Sequence, residues 1–451
     1  MKKLSFFMIG LVALMGVFTS CSSDVEKADK LCLEYKFDEA FKLYQEAADK
    51  GNAYAMWKLS TAYRSGEGVD VSLEKAYDFL KKAADNGSEE AAIDMARCNI
   101  FGFYNTTPDT LKAIKTINEL EKNSKNSYVR CRIAELYYDG IGEQIKQDRD
   151  KAFELLNSVE NKEEPFYLWM MGYIYCYGTD KIDIDDEKAI KYWEKAFEKG
   201  RMAASLIGRL YQFGGAKVQK NIDTAIEWYK KGAEGTGTGS MLNLVRIYTS
   251  PDSTLQKYYN EKEALSLVRK AMRHGDGDAF DLLGCWYAEG FVVEKDDEKA
   301  FESFLKADEY ESINGTLNLG TSYLMGRGCE RDLKKAEQLW LKATNKGSAE
   351  AARRLGNSYA DGTFGSSLEK FNFYIEKAAK LGSPGACYQL AMNYINGQNG
   401  YKNDDYQAFV YAKKAADNGY VDAYNLMAYL YENGIGCDKN PQKAKEYRDK
   451  K

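Results

Sequence analysis

The chain has 451 residues, 44 % of them hydrophobic and 29 % charged, with only 5 prolines, a balance that suits a folded helical chain rather than a disordered one. Its 63 basic and 68 acidic residues are interspersed, giving a net charge of −5 with no long basic run, which argues against nucleic acid as a partner. A single histidine, His274, leaves no H-E-x-x-H site and no conventional zinc triad, and neither a P-loop nor a G-x-S-x-G elbow is present. The chain therefore reads as non-catalytic, with no cofactor and no metal. His274 itself lies beside Gly275 at the end of a helical pattern, where a cation suits the helix dipole.

The first twenty residues stand apart from the rest of the chain. Lys2 and Lys3 precede an apolar run, Leu4–Val17, which at fourteen residues is too short to span a bilayer and fits the h-region of a signal peptide. It closes on Phe18-Thr19-Ser20-Cys21, which resembles a bacterial lipobox, with Phe18 where leucine is usual. That resemblance implies cleavage before Cys21, lipid on its sulfur, and a place in the cell envelope, at the outer membrane. A plain secretory signal or an uncleaved anchor is the alternative. The expected division is a signal peptide over 1–20, a tether over 21–29 and a repeat domain over 30–451.

From residue 35 on, one pattern recurs. In Ala55–Gly87 the residues Ala55, Leu59, Ala62 and Tyr63 share one helix face, Gly66 and Gly68 punctuate a turn, and Ala76, Phe79, Leu80 and Ala83 mark a second helix. The tyrosine returns at Tyr137, Tyr175, Tyr211, Tyr248, Tyr287, Tyr323, Tyr359, Tyr394 and Tyr431, and only Asn99 breaks the column. A Leu, Ile or Met stands four residues before each, and an alanine column runs through the second helices with Phe371 as its exception. Successive tyrosine-column positions lie 35 to 39 residues apart, a period that signifies a solenoid of helical pairs. In chain order, Tyr35–Gly51 is a half repeat expected to pair with a short helix over 25–33. Eleven fuller copies run from Asn52 to the C-terminus. The copy Ser88–Asn126 is degenerate, and the one after Gly235 carries an irregular loop around Pro251.

The run A-x-x-x-L-G-x-x-Y-x-x-G-x-G, then K-A, then K-A-A-x-x-G, resembles the Sel-one-like repeat, a relative of the tetratricopeptide repeat. Ala55–Gly87, Ala279–Ala307, Gly315–Gly347 and Ala351–Gly382 carry it most clearly. The resemblance implies an all-α right-handed solenoid of about eleven helix-turn-helix repeats that acts as a protein–protein interaction adaptor. It also implies that first helices line the concave side, with positions two before, two after and five after the leucine pointing inward. In the N-terminal half these are Trp57, Arg64, Arg97, Tyr138, Trp169, Tyr173, Arg209 and Arg246, an aromatic and basic groove for an acidic or extended peptide. In the C-terminal half they are Asp281, Leu317, Leu324, Arg353, Asn357, Tyr388, Met392 and Tyr429. Packing within the repeats, or plain solvation, is the competing reading for all of them.

Eight cysteines remain once Cys21 is assigned to lipid. No repeat holds two, so the disulfide-tied branch of the family is not matched and free, buried thiols packed as small hydrophobes are expected. Trp193, Trp228 and Trp340 fall in second helices and are expected to fill between repeats. Asp109-Thr110-Leu111, Asp223-Thr224-Ala225 and Asp252-Ser253-Thr254 resemble a bacterial O-glycosylation motif, the first two also serving as helix caps. The expected function is a lipid-anchored envelope scaffold that binds a protein or peptide in its concave groove. The alternatives are a carbohydrate-handling accessory lipoprotein, favoured if Trp57, Trp169 and Tyr173 cluster on one surface, or a hydrolase acting on cell-wall or β-lactam substrates.

Overall fold

A computed structural model describes residues 23–141, 144–200 and 202–450. The signal segment 1–20 and Cys21 lie outside the described residues. Most helices within them start on a capping side chain. Asn52, Ser88, Asn126, Ser312, Ser348 and Ser383 open first helices, their side-chain oxygens accepting the N–H of the residue three further on. Ser72, Asp109, Asp148, Asp296, Asp332 and Asp404 do the same for second helices. Of the motif-like tripeptides, Asp109 is thus a cap and Asp252 caps the short helix Ser253–Tyr258. The cap expected at Asp223 is Asn221 instead, and Asp223 takes the Tyr258 hydroxyl.

The tyrosine column does two jobs in joining the helices. Its backbone carbonyl accepts the N–H of the second-helix cap, from Ser72 to Tyr63 at 2.8 Å through to Asn440 to Tyr431 at 2.9 Å; even Asn99 keeps the bond, from Asp109 at 2.7 Å. Its ring carries the lysine of the K-A pair, as at Lys151 over Tyr137 (3.7 Å) and Lys188 over Tyr175 (3.9 Å). The glycine after the leucine makes room between the helices. Gly172 faces Trp193, Gly208 faces Tyr229, Gly284 faces Phe304 and Gly320 faces Trp340, each so close that a Cβ would collide with the ring. Trp193 and Trp340 are fully buried, and their indole N–H groups reach the carbonyls of Trp169 (3.0 Å) and Leu317 (3.1 Å). Trp228 is only half-buried, against Phe197.

Consecutive repeats are joined at the G-x-G turn. The second glycine has positive φ at Gly68, Gly328 and Gly436 and packs on the carbonyl of Phe37, Asp297 and Asp405, the first residue of the preceding second helix. In the copy with Gly214-Gly215, buried Asp186 occupies that first position and accepts the N–H groups of Lys217 (2.9 Å) and Val218 (3.2 Å).

The pairs stack into two compact units, residues 1–279 and 280–451, and among the described residues both are helical throughout apart from short turns. The N-terminal unit opens on the helix expected over 25–33, which begins two residues sooner. Residues 23–33 are helical, and Val25, Ala28 and Leu31 are buried against Tyr44, Ala47 and Leu59. That pairing caps the stack and corrects the tether assigned to 21–29, because the apolar spacing of Val25, Ala28 and Leu31 belongs to a packed helix. Cys98, Cys131 and Cys387 are buried and the other five cysteines half-buried, all as free thiols, with burial pushing the Cys131 thiol up.

Candidate ligand-binding site

The N-terminal unit curls until its start meets its end. The His274 Nδ1–H donates to the Ser65 carbonyl (3.0 Å), the Thr236 hydroxyl reaches Glu67 (3.2 Å), and Gly235 abuts the ring of Tyr35. A solenoid that closes in this way turns one row of its helices inward. First helices supply Tyr54, Trp57, Lys58, Tyr128, Arg132 and Phe166 to the wall of the space so enclosed.

Along that inner row the aromatic rings form a continuous contact series. Tyr54 touches Trp57 (5.4 Å between centroids), Trp57 meets Tyr128 edge-on (5.0 Å), and Tyr128 meets Phe166 (5.6 Å). Phe166 stacks on Trp169 (5.1 Å), Trp169 stacks on Tyr173 (5.4 Å), and Tyr138 meets Tyr173 edge-on (5.5 Å). A cavity of about 650 Å³ opens beside the first part of this series, bounded across from it by Gly232, Gly235 and Thr236. A second cavity of about 370 Å³ adjoins it, and Tyr54, Trp57, Tyr128 and Glu164 line both. Pro165 and Phe166 start a first helix whose cap position is Glu164, which places this residue on the wall of both cavities.

The charges behind the rings are mutually satisfied. Asp94 accepts the Trp57 indole N–H (2.9 Å) and the Tyr128 hydroxyl (3.2 Å). Arg132 donates to Glu135 (2.9 Å) and to the Tyr128 oxygen (2.9 Å), and lies over the Phe166 ring at 4.3 Å. Burial works against the Arg132 charge, but Tyr128, Asp94 and Glu135 hold its pKa above the ordinary value. Lys58 pairs with Asp29 (3.3 Å) and sits 5.8 Å from both the Tyr54 and Trp57 rings. Burial pushes the Tyr54 hydroxyl up to about 12 and raises the Glu164 carboxyl, with the Phe166 N–H and then Lys58 opposing the rise at Glu164.

The residues expected to line the groove fare differently. Trp57, Trp169 and Tyr173 do come together, and Tyr138 joins them, though it is buried and its hydroxyl reaches the Gly178 carbonyl at 3.3 Å. Arg97 is no free cation: Asp94 (3.9 Å) and Glu135 (3.6 Å) flank it, and only its Nε–H lacks an acceptor. Arg64 is exposed but lies over Phe103 and Tyr104, both at 5.4 Å, and exposed Arg246 holds Asn243 (2.8 Å). Arg209 is exposed without an ion pair among the described residues. Of the four arginines only Arg97 is neutralised, by Asp94 on its own helix and Glu135 on the next first helix; Arg64, Arg209 and Arg246 make no ion pair among the described residues. In the C-terminal unit the chosen positions form clasps between successive first helices. Asn318 donates to Asp281 (2.8 Å), Gln389 to Asn357 (3.1 Å), and Tyr388 packs on Tyr420 (5.2 Å). Arg353 is held by Glu350 (2.8 Å), Leu317 is buried, Leu324 and Met392 are half-buried, and Tyr429 is exposed. Sequence reasoning missed Tyr128, Phe166, Lys58, Arg132 and Glu164. Lys58 and Phe166 sit one and three positions from the chosen Trp57 and Trp169, Tyr128 and Arg132 lie on the same helix as Tyr138 but away from it, and the cap position before Pro165 was the only mark on Glu164.

Eleven segments match the family described as Sel1 repeat: residues 33–52, 53–88, 89–115, 128–158, 165–200, 201–236, 282–307, 314–348, 349–383, 384–420 and 421–447. The half repeat is included and the copy around Pro251 is not, although its Asn260 N–H still reaches the Tyr248 carbonyl at 2.9 Å. Chitin synthase regulatory factor 2 of Schizosaccharomyces pombe is 26 % identical over 47 % of this chain and 44 % of its own length. Chitin synthase regulator SKT5 of Saccharomyces cerevisiae is 31 % identical over 43 % of this chain and 29 % of its own length. The chain spans less than half the length of these curated relatives. Among solved structures, a protective antigen of uropathogenic Escherichia coli with an SLR fold aligns over 91 % of this chain and 86 % of its own, at 23 % identity and a TM-score of 0.42. A Sel1 repeat protein from Oxalobacter formigenes aligns over 74 % and 93 %, at 19 % identity and a TM-score of 0.44.

Proposed function

Because the chain belongs to the Sel1 repeat family, we propose that it is a scaffold that holds a protein or peptide partner in the inner groove of its N-terminal unit. Sel1 repeat proteins generally mediate protein–protein interactions, and the regulators of chitin synthase among its relatives fit an adaptor. The observation that carries the reading is the unbroken aromatic series from Tyr54 to Tyr173, whose first members, Tyr54, Trp57, Tyr128 and Phe166, border a cavity. Rigid rings bordering a concave surface are the groups that dominate binding energy where chains associate. Work is done by fit and burial, without a chemical step. Lys2, Lys3, the run Leu4–Val17 and the lipobox-like Phe18–Cys21 support a lipid anchor at Cys21 in the bacterial envelope.

Carbohydrate stacking draws on the same clustering of Trp57, Trp169 and Tyr173, but Trp169 is stacked against Phe166 one turn before it and Tyr173 one turn after. Its ring faces are engaged within the protein, which favours a peptide that meets ring edges over a sugar that needs an open face. The test is affinity capture from the native envelope with the parent chain and with a Trp169→Ala/Tyr173→Ala variant whose helicity is unchanged. A partner held by the parent and lost by the variant is expected. Identical captures from both would remove the groove from the account.

A further inference from the structure

Resting on that groove reading, the structure points to the chemistry of its occupant. We infer that the cavity beside Trp57 and Tyr128 receives a cation, the guanidinium or ammonium group of an incoming peptide, with Glu164 as its counter-charge.

The argument is one of charge pairing at the wall. Three cations border the cavity, and each is already matched. Lys58 holds Asp29 (3.3 Å), Arg132 holds Glu135 (2.9 Å), and Lys199 holds Glu163 (3.1 Å). Two carboxylates on the same wall make no ion pair among the described residues. Glu67 has only the Thr236 hydroxyl at 3.2 Å, and Glu164 stands at the point shared by both cavities, beside three rings. An occupant that leaves no group unmatched therefore brings positive charge. An anion would instead meet Glu164 and Glu67 in the larger cavity, whose own wall cations are already engaged, Lys125 bordering only the smaller one.

The rings agree with the carboxylates. Lys58 and Arg132 show that this wall seats cations over aromatic faces, Arg132 over both Tyr128 (5.2 Å) and Phe166 (4.3 Å). The raised carboxyl of Glu164, caused by burial that the Phe166 N–H and Lys58 only partly offset, marks a site where that charge is under-compensated. The volume of about 650 Å³ admits one long side chain and the backbone beside it.

The full chain, labelled with nitrogen-15, provides the test through the indole N–H signals of Trp57 and Trp169, identified with Trp57→Phe and Trp169→Phe. Blocked glycine-flanked pentapeptides bearing central arginine, lysine, citrulline or glutamate are titrated to millimolar concentration, with N-acetylarginine amide alongside to separate a peptide from a free cation. The arginine and lysine peptides are expected to move the Trp57 signal at least about tenfold more tightly than the citrulline peptide. In Glu164→Gln, with the remaining spectrum unchanged, that preference is expected to vanish. Equal responses to arginine and citrulline would overturn the cation while leaving a peptide groove in place. Tighter binding of the glutamate peptide would reverse its sign. If no peptide moves Trp57, the inference falls and the capture comparison decides the groove reading by itself.

Discussion

Glu164 shows how one residue carries information at this site. Burial raises its carboxyl above the ordinary value of 4.5, so the folded chain binds that proton more tightly than the unfolded one. The carboxylate therefore costs stability at neutral pH, and the cost disappears as the pH falls through the folded pKa toward the unfolded one. Glu164→Gln is expected to raise the melting temperature at pH 7, with the gap to the parent closing as the medium is acidified below the ordinary carboxyl range. Thermal unfolding of both chains across pH 4 to 8 checks this, and a gap that stays constant would mean that the carboxylate is well solvated. That Trp57 and Trp169 fall in one ring series was legible from their spacing to the leucine column. The pairing of Arg97 was only half legible: Asp94 lies three residues away on the same helix, but Glu135 comes from the next first helix. A one-dimensional pattern carries no account of which charge on one repeat faces which on another.

Within a repeat, the central fit is glycine against ring. Gly320 and Trp340 interlock with no room for a methyl group, and the Trp340 indole is fixed by its bond to the Leu317 carbonyl. Gly320→Ala is expected to cost about 1–3 kcal/mol through overpacking, outweighing the helix propensity that alanine gains. Adding Trp340→Leu should recover part of that loss, a non-additivity that denaturant unfolding of the two single variants and the double variant measures. Simple additivity would show that the contact relaxes freely. The glycine and alanine columns, the tyrosine and the K-A pair were all visible as columns in the sequence. Their couplings were not, since Gly320–Trp340 and the lysine-on-tyrosine contacts join two helices and emerge only once the hairpin closes. The helix at 23–33 was visible too, in Val25, Ala28 and Leu31, but the boundary at 29 cut across that pattern.

At the scale of the N-terminal unit, a period of 35 to 39 residues announces a solenoid and says little about how tightly it winds. Winding is the sum of small rotations from repeat to repeat, and here it brings Ser65 and Glu67 to His274 and Thr236. Those two bonds, together with the close approach of Gly66 to the Arg273 carbonyl, hold the chamber shut. Glu67→Ala/His274→Ala is expected to leave helix content unchanged and to speed amide exchange at 65–71 and 235–237. Exchange measured by mass spectrometry would show this, and unchanged rates would assign closure to repeat packing alone. The central claim is that the inner row of this unit is where a partner sits, and a photo-crosslinking residue placed at Tyr128, compared with one at the exposed Tyr406, tests it most directly. The account predicts a discrete crosslinked partner in the native envelope from position 128 and none from 406. Crosslinks from 406 with silence at 128 would contradict it and move binding to the outer surface.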